Sequence, residues 1–214
     1  MEQHKPHWDT IYRQKRPGEV SWYQPHLTRS LQLLANAGLR PESRIIDVGG
    51  GASTLVDDLI GQGVTDITVL DISGHALAAA KARLGKRAEQ VTWLEADITQ
   101  VQLPNASYDL WHDRAVFHFL TSAEDRRRYL DTMRKALKPG GQAILATFAL
   151  DGPPRCSGLE VVRYSPETLQ AEVGKDFRLV ETISEEHWTP FQTMQRFMYC
   201  RFESPKASHD HPHS

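Results

Sequence analysis

Cysteine is scarce in this 214-residue chain: only Cys156 and Cys200 are present. Neither has metal-ligand spacing, and two thiols supply no disulfide framework to staple a fold. A dominant charge is also missing, since 25 Lys+Arg face 27 Asp+Glu for a net of −2. No basic field therefore points to nucleic acid or an anionic membrane. Long hydrophobic runs are absent; the longest are strand-sized and fall well short of a bilayer span. The opening residues Met1 to His7 are polar and lack the apolar core of a secretory signal. These absences lead to the expectation of a cytoplasmic protein with no metal, no nucleic-acid partner and no membrane. The length suits one domain with appendages and a large core. The sequence does not define an oligomeric state.

What the chain does have is alternation. Helix-like and strand-like patterns succeed one another from about Pro25 to Ala149, which argues for βαβ units and a parallel sheet. An amphipathic piece, His7 to Lys15, precedes a Pro17–Gly18 break, and residues 1–24 are expected to form an N-terminal helix and lid. A helix is expected over Pro25–Ala37. The first strand is Arg44–Val48 and its helix Ser53–Ile60; the second is Ile67–Leu70, ending at Asp71, with a helix over Gly74–Leu84. Further strands are expected at Gln90–Glu95, Tyr108–His112 and Gln142–Phe148. A helix over Thr121–Leu137 stops at Lys138-Pro139-Gly140-Gly141. An irregular segment opens at Asp151. Ser165-Pro166 then reads as a helix cap, with the helix reaching Val173. Phe177–Glu186 and Gln195–Phe202 read as an antiparallel hairpin joined by His187–Thr193. Residues 25–203 form the expected domain. Residues 204–214, with His209, His211 and His213, read as a disordered tail.

The chemistry concentrates at Asp47-Val48-Gly49-Gly50-Gly51. An apolar strand ends in an acid, three glycines follow, and a helix starts. Glycines let the backbone turn sharply and approach a ligand, and helix-start amides favour polar ligand groups. Asp71 ends the next strand, 20 residues beyond Gly51. A carboxylate there can accept from both hydroxyls of a ribose. Asp97, beside Ile98 at the third strand end, suits an adenine edge. Any one acid alone is more often a cap or turn former; the glycine turn and the two acids in order along one sheet edge favour a site. A nicotinamide site wants Gly-x-Gly-x-x-Gly, and here Thr54 stands where the third glycine belongs. An Asp-x-Gly-x-Gly turn is instead the pattern of S-adenosylmethionine sites.

The chain resembles the class I S-adenosylmethionine-dependent methyltransferases over about residues 20–203. The resemblance rests on Ile45-Ile46-Asp47-Val48-Gly49-Gly50-Gly51, Val69-Leu70-Asp71-Ile72-Ser73, Leu94-Glu95-Ala96-Asp97-Ile98, Tyr108-Asp109-Leu110-Trp111-His112-Asp113 and Leu137-Lys138-Pro139-Gly140-Gly141. Ser53 departs from the pattern, replacing a third glycine. The resemblance implies an α/β, Rossmann-like seven-stranded sheet of order 3-2-1-4-5-7-6, with strand 7 antiparallel and helices on both faces. It also implies ribose contact from Asp71, adenine contact from Asp97 and Ile98, and methionine contact from Gly49 and Gly51; Trp22, Asp47, Gly50, Ile72 and Asp113 are counted with them as cofactor-binding residues. Asp113 or Arg114, just past strand four, would face the methyl group. Trp8-Asp9-x-x-Tyr12 and Ser21-Trp22-Tyr23-Gln24 look like the lead-in of a subgroup that includes some protein-lysine methyltransferases. Trp22 and Tyr23 then read as lid residues on the cofactor, or equally as an aromatic anchor for the N-terminal helix.

Methyl transfer needs an aligned electron pair and exclusion of water. Candidate bases are His112, Asp113 and His118, with Asp113 and His112 taken as the catalytic pair and His118 as a core residue. The position after strand four reads His112-Asp113-Arg114-Ala115, which disfavours amino methylation of nucleic-acid bases. The expectation is methyl transfer to a small molecule, with a protein side chain such as lysine second. A silent S-adenosylmethionine-binding protein and a nicotinamide-dependent reductase are the rivals.

Overall fold

The computed structural model describes residues 4–207. Residues 1–3 and 208–214, and with them the three histidines of the expected tail, lie outside the described residues. Helices are α1 (Lys5–Gln14), α2 (Thr28–Asn36), α3 (Leu55–Gly61), α4 (Gly74–Leu84), α5 (Ala123–Ala136) and α6 (Pro166–Val173). Strands are β1 (Arg44–Val48), β2 (Asp66–Asp71), β3 (Val91–Glu95), β4 (Tyr108–Arg114), β5 (Leu137–Phe148), β6 (Arg155–Cys156), β7 (Leu159–Glu160), β8 (Arg178–Trp188) and β9 (Met194–Glu203). Seven strands form one sheet in the order β3-β2-β1-β4-β5-β9-β8. This is the expected order 3-2-1-4-5-7-6 once the short β6–β7 hairpin, which the sequence reading left irregular, takes its place in the count. β9 runs antiparallel to both β5 and β8.

Strand alternation divides the core. Ile45, Leu110 and Ile144 face Leu33, Leu34, Leu55, Leu59 and Leu77 of α2, α3 and α4. Their neighbours Ile46, Trp111 and Leu145 face Tyr129, Leu130 and Met133 of α5 and Leu169 of α6. A central parallel strand buried on both faces reads as a continuous apolar run, and period-two geometry sends successive residues to opposite sides. Helix starts follow local chemistry. Ser73, Ser122 and Ser165 accept from Ala76, Asp125 and Thr168 amides, and Pro166 occupies the first turn of α6.

Several boundaries shift by one to three residues, and three differences change how a segment is read. β4 continues two residues beyond His112, because Arg114 pairs with Ala146 of β5. Lys138 to Gly141 does not separate helix from strand; it is an irregularity inside β5, between the Tyr108–Leu137 and Leu110–Gln142 pairs. Ser204 and Pro205 belong to the fold rather than to a tail. Ser204 donates to the Lys138 and Gly141 carbonyls, and the Pro205 carbonyl accepts from Gly140. Among the described residues no helix is long and apolar enough to cross a membrane.

Candidate cofactor crevice

The carboxyl ends of β1, β2 and β4 converge beneath α1. Each glycine after β1 is there for a steric reason. Gly49 has φ +72°, and a Cβ there would lie 2.0 Å from the Val116 side chain. A Cβ at Gly50 would lie 2.2 Å from Asp47 Oδ2, and one at Gly51 2.5 Å from both Asp71 Oδ2 and the Ala76 Cβ. The turn is therefore packed against the two acids. Its amides are partly consumed inside the protein. Gly49 N–H donates to the Leu70 carbonyl at 2.7 Å and Gly51 N–H to Asp71 Oδ2 at 3.0 Å. The expected row of ligand-facing amides is reduced accordingly.

Asp71 ends β2 and accepts from Gly51 through Oδ2 and from Ser73 N–H through Oδ1 at 2.8 Å. Burial pushes this carboxyl up to about 6. Each oxygen keeps a second lone pair for a hydroxyl donor. Asp47 and His112 lie opposite one another on β1 and β4. His112 Nδ1 is 2.7 Å from Asp47 Oδ1, and its Nε2 is 2.8 Å from Ser30 Oγ on α2. Asp47 Oδ2 is buried with no hydrogen-bond partner. A buried carboxylate oxygen in this state calls for a donor, and a cationic or N–H group supplies one.

Two cavities flank Gly49. The first, about 70 Å³, reaches Asp71, Ile72, Ala96 and Ile98. The second, about 40 Å³, reaches Asp47, Gly50 and His112. Both are small beside the roughly 300–1,000 Å³ of sites that enclose a whole ligand. The protein's own aromatics roof them. Trp8 and Tyr12 of α1 pack with Trp22, Trp8 to Trp22 at 5.7 Å and Trp8 to Phe119 at 5.0 Å between ring centres. Polar contacts latch α1 to the sheet edge. Lys5 Nζ donates to the Ile72 carbonyl at 3.0 Å and pairs with Glu95, and Ser73 Oγ donates to Asp9 Oδ1 at 2.6 Å.

The residues singled out by sequence divide in two. Trp22, Asp47, Gly49, Gly50, Asp71, Ile72 and Ile98 line these cavities, and Gly51 holds Asp71. Asp97 lies just outside, in an open groove with Lys5 and Glu95; its Oδ1 accepts from Thr99 N–H and Oγ. Asp113 is a correction. It is fully buried on the opposite face of the sheet, where it accepts from Val116 N–H, Phe117 N–H and the Tyr129 hydroxyl at 2.8, 3.0 and 2.6 Å. Burial pushes it up to about 6. Its carboxylate caps a turn and does not reach the crevice. His112 is in place, but both ring nitrogens are engaged. His118 is a core residue between Phe119 and Phe148, held down to about 3 by burial. Cys156 borders the first cavity, and burial pushes its thiol up to about 12, so it is no ready thiolate.

A methyltransferase-domain family model matches residues 45–141. The chain also superposes on an N-methyltransferase, NodS from Bradyrhizobium japonicum WM9 in complex with S-adenosyl-L-homocysteine. That match has a TM-score of 0.70 at 19% identity and covers 92% of this chain and 98% of that one. Residues 45–141 are thus similar to a methyltransferase domain, and the chain as a whole has the fold of S-adenosylmethionine-dependent methyltransferases. It has the same fold as a Burkholderia thailandensis 1,6-didemethyltoxoflavin-N1-methyltransferase solved with its acceptor and S-adenosylhomocysteine (TM-score 0.70, 18% identity, 94% of this chain, 87% of that one). Among curated relatives, the bovine (Bos taurus) eEF1A lysine and N-terminal methyltransferase is 25% identical over 149 residues, 67% of this chain. The match spans only 21% of that longer protein.

Proposed function

We propose that this chain is an S-adenosylmethionine-dependent methyltransferase and that it acts on a small molecule enclosed beneath α1 and Trp22. The supporting observation is that its crevice is roofed by the protein's own Trp8, Tyr12 and Trp22. A buried, water-poor site suits an acceptor that enters whole and is sealed in.

In this reading Asp71 accepts from the ribose hydroxyls, Ile72 and Ile98 sandwich the adenine with Asp97 at its edge, and Asp47 Oδ2 takes the ammonium of the methionine part. The bound S-adenosylmethionine supplies a methyl carbon activated by a sulfonium. The chain aligns the acceptor and keeps water away. His112 acts as a positioning residue: it orients Asp47 through the Nδ1–Oδ1 hydrogen bond. Neither His112 nor Asp113 is free to take a proton from an acceptor, so the catalytic roles first read for them become structural ones. The two cavities are too small for the cofactor with α1 closed, so α1 swings aside to admit it.

The test is a metabolite screen for cofactor-dependent gain of one methyl, run beside a proteome screen. Methylated metabolites with an unlabelled proteome support this reading. The protein side-chain reading has one observation in its favour besides the bovine relative: Trp188, Phe191 and Met194 form an exposed apolar group at the β8–β9 tip. Methylated protein in the same screen would establish that reading instead.

A further inference from the structure

We infer that the Arg114 guanidinium binds an anionic atom of the acceptor, so that the small molecule proposed above is one that ionises to a thiolate, phenolate or carboxylate. The inference rests on the proposed function, since it concerns the same site.

Arg114 is the last residue of β4 and shares a sheet face with His112. It lines both cavities, and among the described residues it is the only ionised side chain that does. Its side chain is 5% exposed. Three contacts fix it. Nε donates to the Tyr199 hydroxyl and Nη1 to the Trp22 carbonyl, both at 2.9 Å, while the guanidinium stacks 4.3 Å from the Phe197 ring centre. Nη2 is buried and forms an ion pair with Glu185 Oε2 at 3.7 Å, but it makes no hydrogen bond. Glu185 is itself engaged by Tyr199 and Gln24. A rigid, buried guanidinium with an idle N–H is a prepared anion site.

Its position matters for the reaction. Asp71 marks one end of the crevice and Asp47 the other, and Arg114 lies where the two cavities meet. Other groups around it are His187, whose Nε2–H donates to the Ser21 carbonyl and whose Nδ1 accepts from Gln24 Nε2, and the buried thiol of Cys156. None offers a free base. A lysine ammonium entering here meets a cation, and the carboxylates nearby are committed, Glu185 to Arg114, Tyr199 and Gln24, and Asp47 and Asp71 to the cofactor in the proposed reading. An acidic acceptor needs no base, because the guanidinium favours its ionised form. The balance closes without a proton: the acceptor anion supplies the pair for the new bond to methyl carbon, the old carbon–sulfur pair stays on sulfur, and both partners end neutral.

The experiment uses the full chain saturated with S-adenosylhomocysteine and three probes: 4-nitrophenol, 4-nitrobenzenethiol and benzylamine. Absorbance reports ionisation of the first two, and calorimetry reports affinity for all. The expected result is a bound phenol or thiol that is ionised at a pH where the free probe is mostly neutral, with benzylamine not retained. Arg114→Gln, measured at a S-adenosylhomocysteine concentration shown to saturate that variant, should hold the acidic probes about tenfold or more weakly and leave them neutral. Arg114→Lys should retain part of the ionisation, and the wild-type spectrum carries the test if the glutamine variant fails to fold. Probes bound neutral by the wild type, failure of both acidic probes to bind, or preference for benzylamine overturns the inference. Failure to bind S-adenosylhomocysteine at all would instead sink the cofactor reading.

Discussion

His112 and Asp47 stand opposite one another on adjacent parallel strands and share a 2.7 Å hydrogen bond, with Ser30 closing the far side of the ring. This buried chain ties α2, β1 and β4 together under the cofactor crevice. His112→Phe would strand both Asp47 and Ser30. Loss of about 2–4 kcal/mol in urea unfolding is expected, with weaker S-adenosylhomocysteine binding. Unchanged stability with abolished turnover would make His112 a base after all.

Gly49 should tolerate no side chain. Alanine there meets left-handed strain of about 1–2 kcal/mol and overlap with Val116 worth a further 1–3 kcal/mol or so. Gly49→Ala is expected to lower the melting temperature and remove cofactor binding. Adding Val116→Ala should recover the steric part of the stability and leave the backbone part. A double variant no better than the single would show that Val116 is not the obstacle.

Asp71 and Asp113 each sit near 6 because burial disfavours their charged forms, against an ordinary value of 3.8. The native state therefore binds more protons than the unfolded chain between these values. These two groups make the unliganded enzyme less stable as pH rises from about 4 to 6, with no further change from them above that. Cofactor binding has the opposite sense, since hydroxyl donors favour the Asp71 carboxylate. S-adenosylhomocysteine affinity should fall as pH drops below about 6. Calorimetry on the wild type and Asp71→Asn checks this; an equal pH response in both would assign the effect elsewhere.

Lifting of α1 should limit how fast the cofactor binds. Trp8 is 8% exposed and wedges between Trp22 and Phe119. Trp8→Ala is expected to cost about 3 kcal/mol and to speed S-adenosylhomocysteine association in stopped-flow fluorescence. An unchanged association rate would mean that the cofactor reaches the crevice by another path.

Much of this was legible in the sequence, because parallel strands and capped helices announce themselves through apolar runs, serine caps and glycine stops. The glycine turn and Asp71 followed from spacing, and the sheet order from the family resemblance. The misplacement of Asp113 has a physical cause. His112-Asp113-Arg114 looks like loop by polarity, yet it is strand, and one residue of shift changes face. Counting parity from Leu110 assigns His112 and Arg114 to one side and Asp113 to the other. The pairing of His112 with Asp47 was not readable, since 65 residues separate them. Nor was the closing of α1 over the crevice, which depends on how Trp8, Tyr12, Trp22 and Phe119 meet in space. Ser204 and Pro205 read as tail because polar composition hides backbone bonds.

The central claim is that the rim between Asp47 and Asp71 holds the adenosyl cofactor. Titration of S-adenosylhomocysteine into wild-type protein and Asp71→Ala tests it most directly. The account predicts one saturable site in the wild type and its near-complete loss in a variant that still folds. A folded wild type that binds nothing, or a variant that binds as well as the wild type, would contradict it.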